Sequence, residues 1–299
     1  MLAPTRWRFR RPVAAVVTVV VLVLAVTVGA ADRWSKEKSI SIQGNVASAI
    51  TTANLTAVAR TRVFFGHFSV GMKMLNAIPG VYADHGVSAP PIEEGLAEPG
   101  PNGGFIAHKF IVKPNFEDFD RTMRHGMGRQ VDVALMKFCW GDIDSDTDVD
   151  ALFARYRDTM AALERDFPDV TFIHVTVPLT KEPGLFKKLK VRLKTLLGRP
   201  DPFGQAANVA RERLNALIRR EYAGRHLFDL AAIESTKPDG TRVSGSYDNQ
   251  RYFALYDGYA DNITSDNIDS RVNWNNLNAV GAKVAATAFL EAIAQASRK

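Results

Sequence analysis

Two stretches of this chain, VDVALMKF (131–138) and VTFIHVTV (170–177), are apolar at nearly every position, and a segment of helical period separates them. A strand with one wet face alternates polar and apolar residues. A strand apolar throughout has to be covered on both sides, as in parallel sheets flanked by helices. The separating segment, ALFARYRDTMAALERDF (151–167), puts Leu152, Phe153, Tyr156, Met160, Leu163 and Phe167 on one helical face, long enough for a crossover between parallel strands. The pattern continues along the chain. RVFFG (62–66) reads as a strand and Val70 to Ile78 as a helix after it, residues 205–222 as a helix, HLFDL (226–230) as a short strand, and residues 277–296 as a terminal helix. This order predicts one α/β domain, residues 61–299, with a parallel sheet between two helical layers. Ligands of such sheets sit at the carboxyl ends of the strands. Here those ends read GHFSVG (66–71), CWGDIDSD (139–146), PLTKEPG (178–184) and the stretch before the last helix.

The N-terminus carries a different signal. Residues 12–31, PVAAVVTVVVLVLAVTVGAA, hold twenty positions without a charge, enough for a helix of about 30 Å, the thickness of a bilayer core. Arg6, Arg8, Arg10 and Arg11 precede it, which orients the basic residues 1–11 toward the cytoplasm and the rest outward. The expected organisation is a cytoplasmic segment (1–11), a transmembrane signal anchor (12–31), a tether or lead-in helix (32–60) and the domain. The protein is then single-pass in the plasma membrane with its C-terminal domain outside. Cleavage near Ala30 and secretion is the alternative.

Charge supports no nucleic-acid partner: four of the six net positive charges lie in the first eleven residues. The one cysteine, Cys139, excludes an internal disulfide. Alternating Asp142, Asp144, Asp146, Asp148 and Asp150 lack the Gly and Glu spacing of a calcium loop and read as a solvated loop ending in a helix cap. No metal site is expected. LFKKLKVRLKTLL (185–197) places Leu185, Leu189, Leu193, Leu196 and Leu197 on one face with five bases around it. It reads either as a sheet-covering helix or as a second membrane contact on anionic lipid.

GHFSVG, following a strand and opening a helix, resembles the nucleophile segment of the SGNH/GDSL hydrolase superfamily, in particular a bacterial branch with a GHxSVG pattern. FFGHFSVGMKML, HKF (108–110), VDVALMKFCWGDI (131–143), FIHVTVPLT (172–180), Asn208-x-x-Arg211-x-x-x-Asn215, FDLAAIEST (228–236) and the final LYDGYADN…NNLNAVG (255–281) carry the resemblance across most of residues 62–297. It implies a three-layer, flavodoxin-like parallel sheet of SGNH type. It also implies ester hydrolysis or acyl transfer without a cofactor, the substrate being an ester, such as an O-acyl group on an envelope glycan. Ser69 takes the nucleophile position, and Gly66, Gly71, Cys139 and Asp142 fall at the substrate- and oxyanion-binding positions.

The chain departs from the family at the other half of its triad. Asn273 and Asn276 stand where an Asp-x-x-His motif places its acid and base, and no histidine follows His226. An amide is not a base at neutral pH. His67, two residues before the serine, and His108, read as part of a Gly-rich loop after Asn102-Gly103-Gly104, are the candidate substitutes. The opposing expectation is a catalytically degenerate domain that binds a glycan or a protein partner in the same cleft. Ser69 itself also reads as a plain helix N-cap. His174, mid-strand, is expected in the core, and His226 at the surface.

Overall fold

The computed structural model describes residues 50–111, 115–184, 186, 188, 189, 193, 204–261 and 276–298. The expected anchor over 12–31, Asn273 and most of the basic segment 185–197 lie outside the described residues. Of that segment, Phe186, Leu189 and Leu193 are exposed.

Six strands form one parallel sheet: β1 (Arg62–His67), β2 (Ile92–Glu94), β3 (Phe105–Phe110), β4 (Val133–Met136), β5 (Thr171–Val175) and β6 (Leu227–Phe228), in the order β2-β3-β1-β4-β5-β6. Helix α1 (Thr52–Ala59) leads into β1, and α2 (Val70–Asp84) leaves it; α3 (Asn115–Arg124), α4 (Val149–Asp166) and α5 (Gln205–Glu221) join the later strands. A short α6 (Leu230–Ser235), a two-stranded hairpin of β7 (Ser244–Tyr247) and β8 (Gln250–Phe253), and α7 (Ala279–Ala296) complete the chain.

The alternation of side chains along β1 explains the two helical layers. Val63 and Phe65 point into a core shared with Leu55, Val58, Met74, Ile78, Phe289 and Ile293, from α1, α2 and α7. Phe64 points the other way, into a core with Phe119, Met123, Phe153, Met160, Leu163 and Ile218, from α3, α4 and α5. Both faces of the central strands are therefore dry, as their composition predicts. The expected face of α4 is borne out for Phe153, Tyr156, Met160 and Leu163, which are buried, while Leu152 and Phe167 lie at its margin. Asp148 accepts from Ala151 N–H and caps that helix at 3.0 Å.

Three parts differ from the sequence expectation. α2 continues through Pro79 to Asp84: one missing N–H costs less than losing Val81 and Tyr82 from the core, where the Tyr82 hydroxyl also donates to Leu55 O at 3.0 Å. His108 lies in β3, not in a Gly-rich loop; that strand is only six residues long and follows Gly104 directly. The hairpin turns on Asp248 and Asn249, with φ of 48° and 60°, the left-handed pair that a two-residue turn requires. α7 is the one described helix long and apolar enough to cross a membrane, and half of it is buried in the core.

The strand order reverses beside β1, because the chain first winds toward β2 and β3 and then crosses to β4 and beyond. That reversal is where an open parallel sheet leaves a crevice at its carboxyl edge.

Candidate active site

Ser69 stands at the carboxyl end of β1, at the turn into α2. Its backbone has φ 52° and ψ −102°, a conformation that costs a residue with a Cβ about 1–3 kcal/mol. Around it, Gly71 N–H donates to Phe68 O at 3.3 Å and Met72 N–H to Ser69 O at 3.0 Å, which closes the turn. Ser69 occupies the N-cap position, yet its side chain caps nothing. The Oγ is buried and has no hydrogen-bond partner among the described residues. A simple cap residue adopts extended backbone and bonds the first turn with its hydroxyl; Ser69 does neither.

Immediately before it, the imidazole of His67 is fully buried, stacked on Phe65 with ring centroids 4.9 Å apart. Its Nε2 lies 3.2 Å from Nδ1 of His108 on β3, while its own Nδ1 is buried and unpartnered among the described residues. Gly71 makes this packing possible: a Cβ there would stand 2.7 Å from His67 Nδ1. Burial, with Lys137 and His108 adding to it, holds the His67 ring down to about 3. Burial likewise lowers His108, which Glu94 partly opposes. Both rings are therefore neutral at pH 7.

On the β4 side, Lys137 N–H donates to Gly66 O at 3.0 Å, which sets Lys137 beside the end of β1. Its side chain is fully buried, with Nζ donating to Phe138 O at 3.1 Å. Burial lowers its proton affinity, while Cys139, Glu234 and Asp142 favour the charge. Glu234 of α6 accepts from Leu179 N–H at 2.6 Å, its second oxygen is buried and unpartnered among the described residues, and burial raises its carboxyl to about 8. Arg211 of α5, fully buried, donates to Trp140 O at 3.0 Å and to Thr180 Oγ1 at 3.1 Å, and also to Asn208 Oδ1; burial lowers it to about 10. Asn215 grips both backbone groups of Val177, at 2.7 and 3.1 Å. Buried polar groups of this density fix the loops after β4 and β5 in one arrangement.

Of the residues singled out by sequence, His67, His108 and Gly71 come together, and Ser69 lies in the turn between His67 and Gly71. Gly66 lies on the other face of β1, where a Cβ would run into Ile111 and Phe119. Cys139 is buried at the turn after β4, and Asp142 accepts its N–H at 2.6 Å. Asn276 is buried with Oδ1 on Leu277 N–H at 3.1 Å, and its carbonyl holds Asp261 N–H at 2.9 Å. Asp261 in turn pairs with Lys73, one turn beyond Ser69, at 3.2 Å. His174 is in the core, on the Tyr156 hydroxyl at 3.1 Å, and His226 is exposed, both as expected. Lys137 and Glu234 are the functional candidates that sequence reading underweighted. Their signal was a charge inside an apolar run, VDVALMKF and DLAAIES respectively.

A cavity of about 750 Å³ opens at the opposite, amino end of the sheet, where Arg62 pairs with Asp132 and Arg124 with Asp166. It contains none of these residues.

Solved structures similar to this chain include a GDSL-like lipase from Bacteroides thetaiotaomicron, at 12% identity and a TM-score of 0.47, over 80% of this chain and 89% of that one. The C-terminal catalytic domain of a Streptococcus pneumoniae peptidoglycan O-acetyltransferase is similar at 14% identity and a TM-score of 0.36, over 80% and 95%. The periplasmic domain of a lipopolysaccharide acetyltransferase from Salmonella ser. Paratyphi A is similar at 10% identity and a TM-score of 0.41, over 81% and 88%. The sequence matches no family model, and no curated protein matches it significantly.

Proposed function

We propose that the domain is an SGNH/GDSL-like ester hydrolase or acyl-transfer enzyme with Ser69 as its nucleophile, held outside the plasma membrane by residues 12–31 and acting on an O-acylated envelope glycan. The observation that carries this reading is the backbone of Ser69. A strained strand-to-helix turn that leaves the hydroxyl unbonded is costly for folding and useful for attack on a carbonyl. The N-terminus of α2 adds a field that favours negative charge at the same point. A neutral imidazole stands two residues away, and the ordered motifs from GHFSVG to LNAVG add the resemblance in sequence.

A second reading, a degenerate domain that binds a glycan or protein partner in the same cleft, is favoured by Asn276. Its amide is turned onto its own backbone, at the position where the family carries an imidazole.

Fluorophosphonate labelling of the purified full-length chain separates the two, with Ser69→Ala beside it. Labelling of the wild type that is lost in the variant supports an activated serine. Absence of labelling, or equal labelling of both proteins, refutes the enzyme reading and directs the search to glycan binding.

A further inference from the structure

We propose that His67 is the proton acceptor for Ser69, supported through a relay of His108 and Glu94 from the β2 edge of the sheet, in place of an acid and base from the C-terminal segment. The inference rests on the reading of Ser69 as a nucleophile and adds the route its proton takes.

Register brings the groups together. Glu94 is the Cα partner of His108 in the β2–β3 ladder, and His108 is the partner of Phe65 in the β3–β1 ladder. Partners in a parallel ladder share a face. Ile92 and Ile106, two positions earlier, both pack toward the core of α1, α2 and α7, so Glu94 and His108 face that way too. His67 follows Phe65 by two residues on the same face and meets His108 diagonally, Nε2 to Nδ1 at 3.2 Å. Glu94 is exposed and its charge acts on the His108 ring.

The hydrogen-bond inventory fixes the tautomers. One ring must donate across the His67–His108 contact and the other accept. If His108 Nδ1–H donated, His67 would carry its proton on Nδ1, a buried donor with no partner. His108 would then carry a lone pair on Nε2 and no proton there for the charge of Glu94 to favour. Both features are unfavourable. With His67 Nε2–H donating instead, the His108 proton sits on Nε2, where Glu94 favours it, and His67 Nδ1 is a lone pair. That lone pair faces the first turn of α2, at the place Gly71 leaves bare. Ser69 precedes that turn with an unbonded hydroxyl. Ser69 Oγ and His67 Nδ1 do not bond each other in this structure, each being without a partner among the described residues, so the transfer requires the Ser69 side chain to turn toward that lone pair.

In the acylation step Ser69 Oγ bonds to the carbonyl carbon of the ester, the carbonyl π pair moves onto its oxygen, and the Oγ proton passes to His67 Nδ1. The adduct then re-forms the carbonyl and expels the alcohol oxygen, which leaves with the proton from His67. While His67 holds both protons, its Nε2–H remains on His108 and Glu94 offsets the positive charge. His67 is the catalytic base; His108 and Glu94 are positioning residues.

The test is the rate of fluorophosphonate labelling of the full-length chain. His67→Gln should lower it about 100-fold or more, the range for loss of a general base. Because His67 is buried, the deciding variant is at the exposed Glu94. Glu94→Gln should label about fivefold more slowly at low salt, the size of an exposed ionic interaction. Glu94→Asp should restore the rate, and the difference between wild type and Glu94→Gln should shrink in 1 M NaCl as charges are screened over about 3 Å. If Ser69 labels while Glu94→Gln matches wild type, or its defect ignores salt, the relay is wrong and Ser69 remains a nucleophile with another base. If the wild type does not label at all, the nucleophile reading fails and the relay with it.

Discussion

Gly71→Ala tests how tightly the turn and the His67 ring are built around each other. Gly71 is the second residue of α2. In an open helix the change to alanine would stabilise by up to about 1 kcal/mol, because glycine loses more backbone entropy. Here the added Cβ would stand 2.5, 2.6 and 2.7 Å from His67 Cβ, Cγ and Nδ1, well inside the 3.5–4.0 Å at which carbon atoms rest. The ring has nowhere to go. Phe65 stacks on it at 4.9 Å, Phe110 packs at 5.2 Å and His108 holds its Nε2 at 3.2 Å. Overpacking of this kind costs about 1–3 kcal/mol. Set against the helix gain, a net loss of about 1–2 kcal/mol is expected, or about 2–8 °C in melting temperature for a domain of this size.

Urea unfolding of the full-length chain, in a double-mutant cycle with His67→Gly, gives the sharper test. Without the Cβ and the ring of His67, the alanine methyl enters vacated space and only the helix gain remains, so Gly71→Ala should turn from destabilising to stabilising. The coupling between the two positions should then lie near 1–3 kcal/mol, as for residues in direct contact. A Gly71→Ala protein no less stable than wild type, or one equally destabilised in both backgrounds, would refute the packing argument. The placement of His67 Nδ1 against α2 would fall with it.

Two further predictions concern the buried charges on the β4 side. Glu234, raised to about 8 in the folded protein from an ordinary 4.5, binds more proton when folded than when unfolded between those values, so it makes stability fall as pH rises through that window. Glu234→Gln should flatten that fall, measured as urea midpoints from pH 5 to 8; an unchanged slope would mean that Glu234 is ionised when folded. Arg211 uses its planar fork on Trp140 O, Thr180 and Asn208, so Arg211→Lys should still cost about 3 kcal/mol or more in the same assay, and a loss under 1 kcal/mol would show that charge alone suffices there.

The layered fold was legible because period-2 and period-3.6 patterns follow burial, and burial on both faces of β1, β4 and β5 leaves almost no polar residue to blur the reading. β2 and β3 were not legible. Ile92–Glu94 has three residues, and Phe105–Phe110 follows a glycine turn and carries His108 and Lys109 within it, so local pattern reads as loop and only lateral pairing makes strand. The site was half legible. Ser69 announced itself by lying between a strand and a helix, but the pairing of His67 with His108 spans 41 positions and depends on β3 returning beside β1. Glu94 had no local signal at all, since one more acid before a turn is unremarkable until register sets it opposite His108.

That dependence on register bears on what the asparagines at the C-terminal motif imply. A serine nucleophile needs a proton acceptor on one side and positive or hydrogen-donating groups where the oxyanion forms on another. In the usual order of parts the acceptor arrives from the loop before the last helix. Among the described residues that loop offers Asn276, whose Oδ1 accepts from Leu277 N–H, and Asp261, paired with Lys73. The two flanks of β1 supply the same pair of functions with opposite polarity. Toward β3 stand neutral imidazoles backed by Glu94; toward β4 stand Lys137 and Arg211, fully buried, with Glu234 mostly uncharged at pH 7 between them. The positive groups on the β4 side favour developing negative charge there, while Lys137 disfavours a proton on His67. On the proposed reading, an asparagine at position 276 therefore leaves the base to be supplied from the β3 flank of the strand.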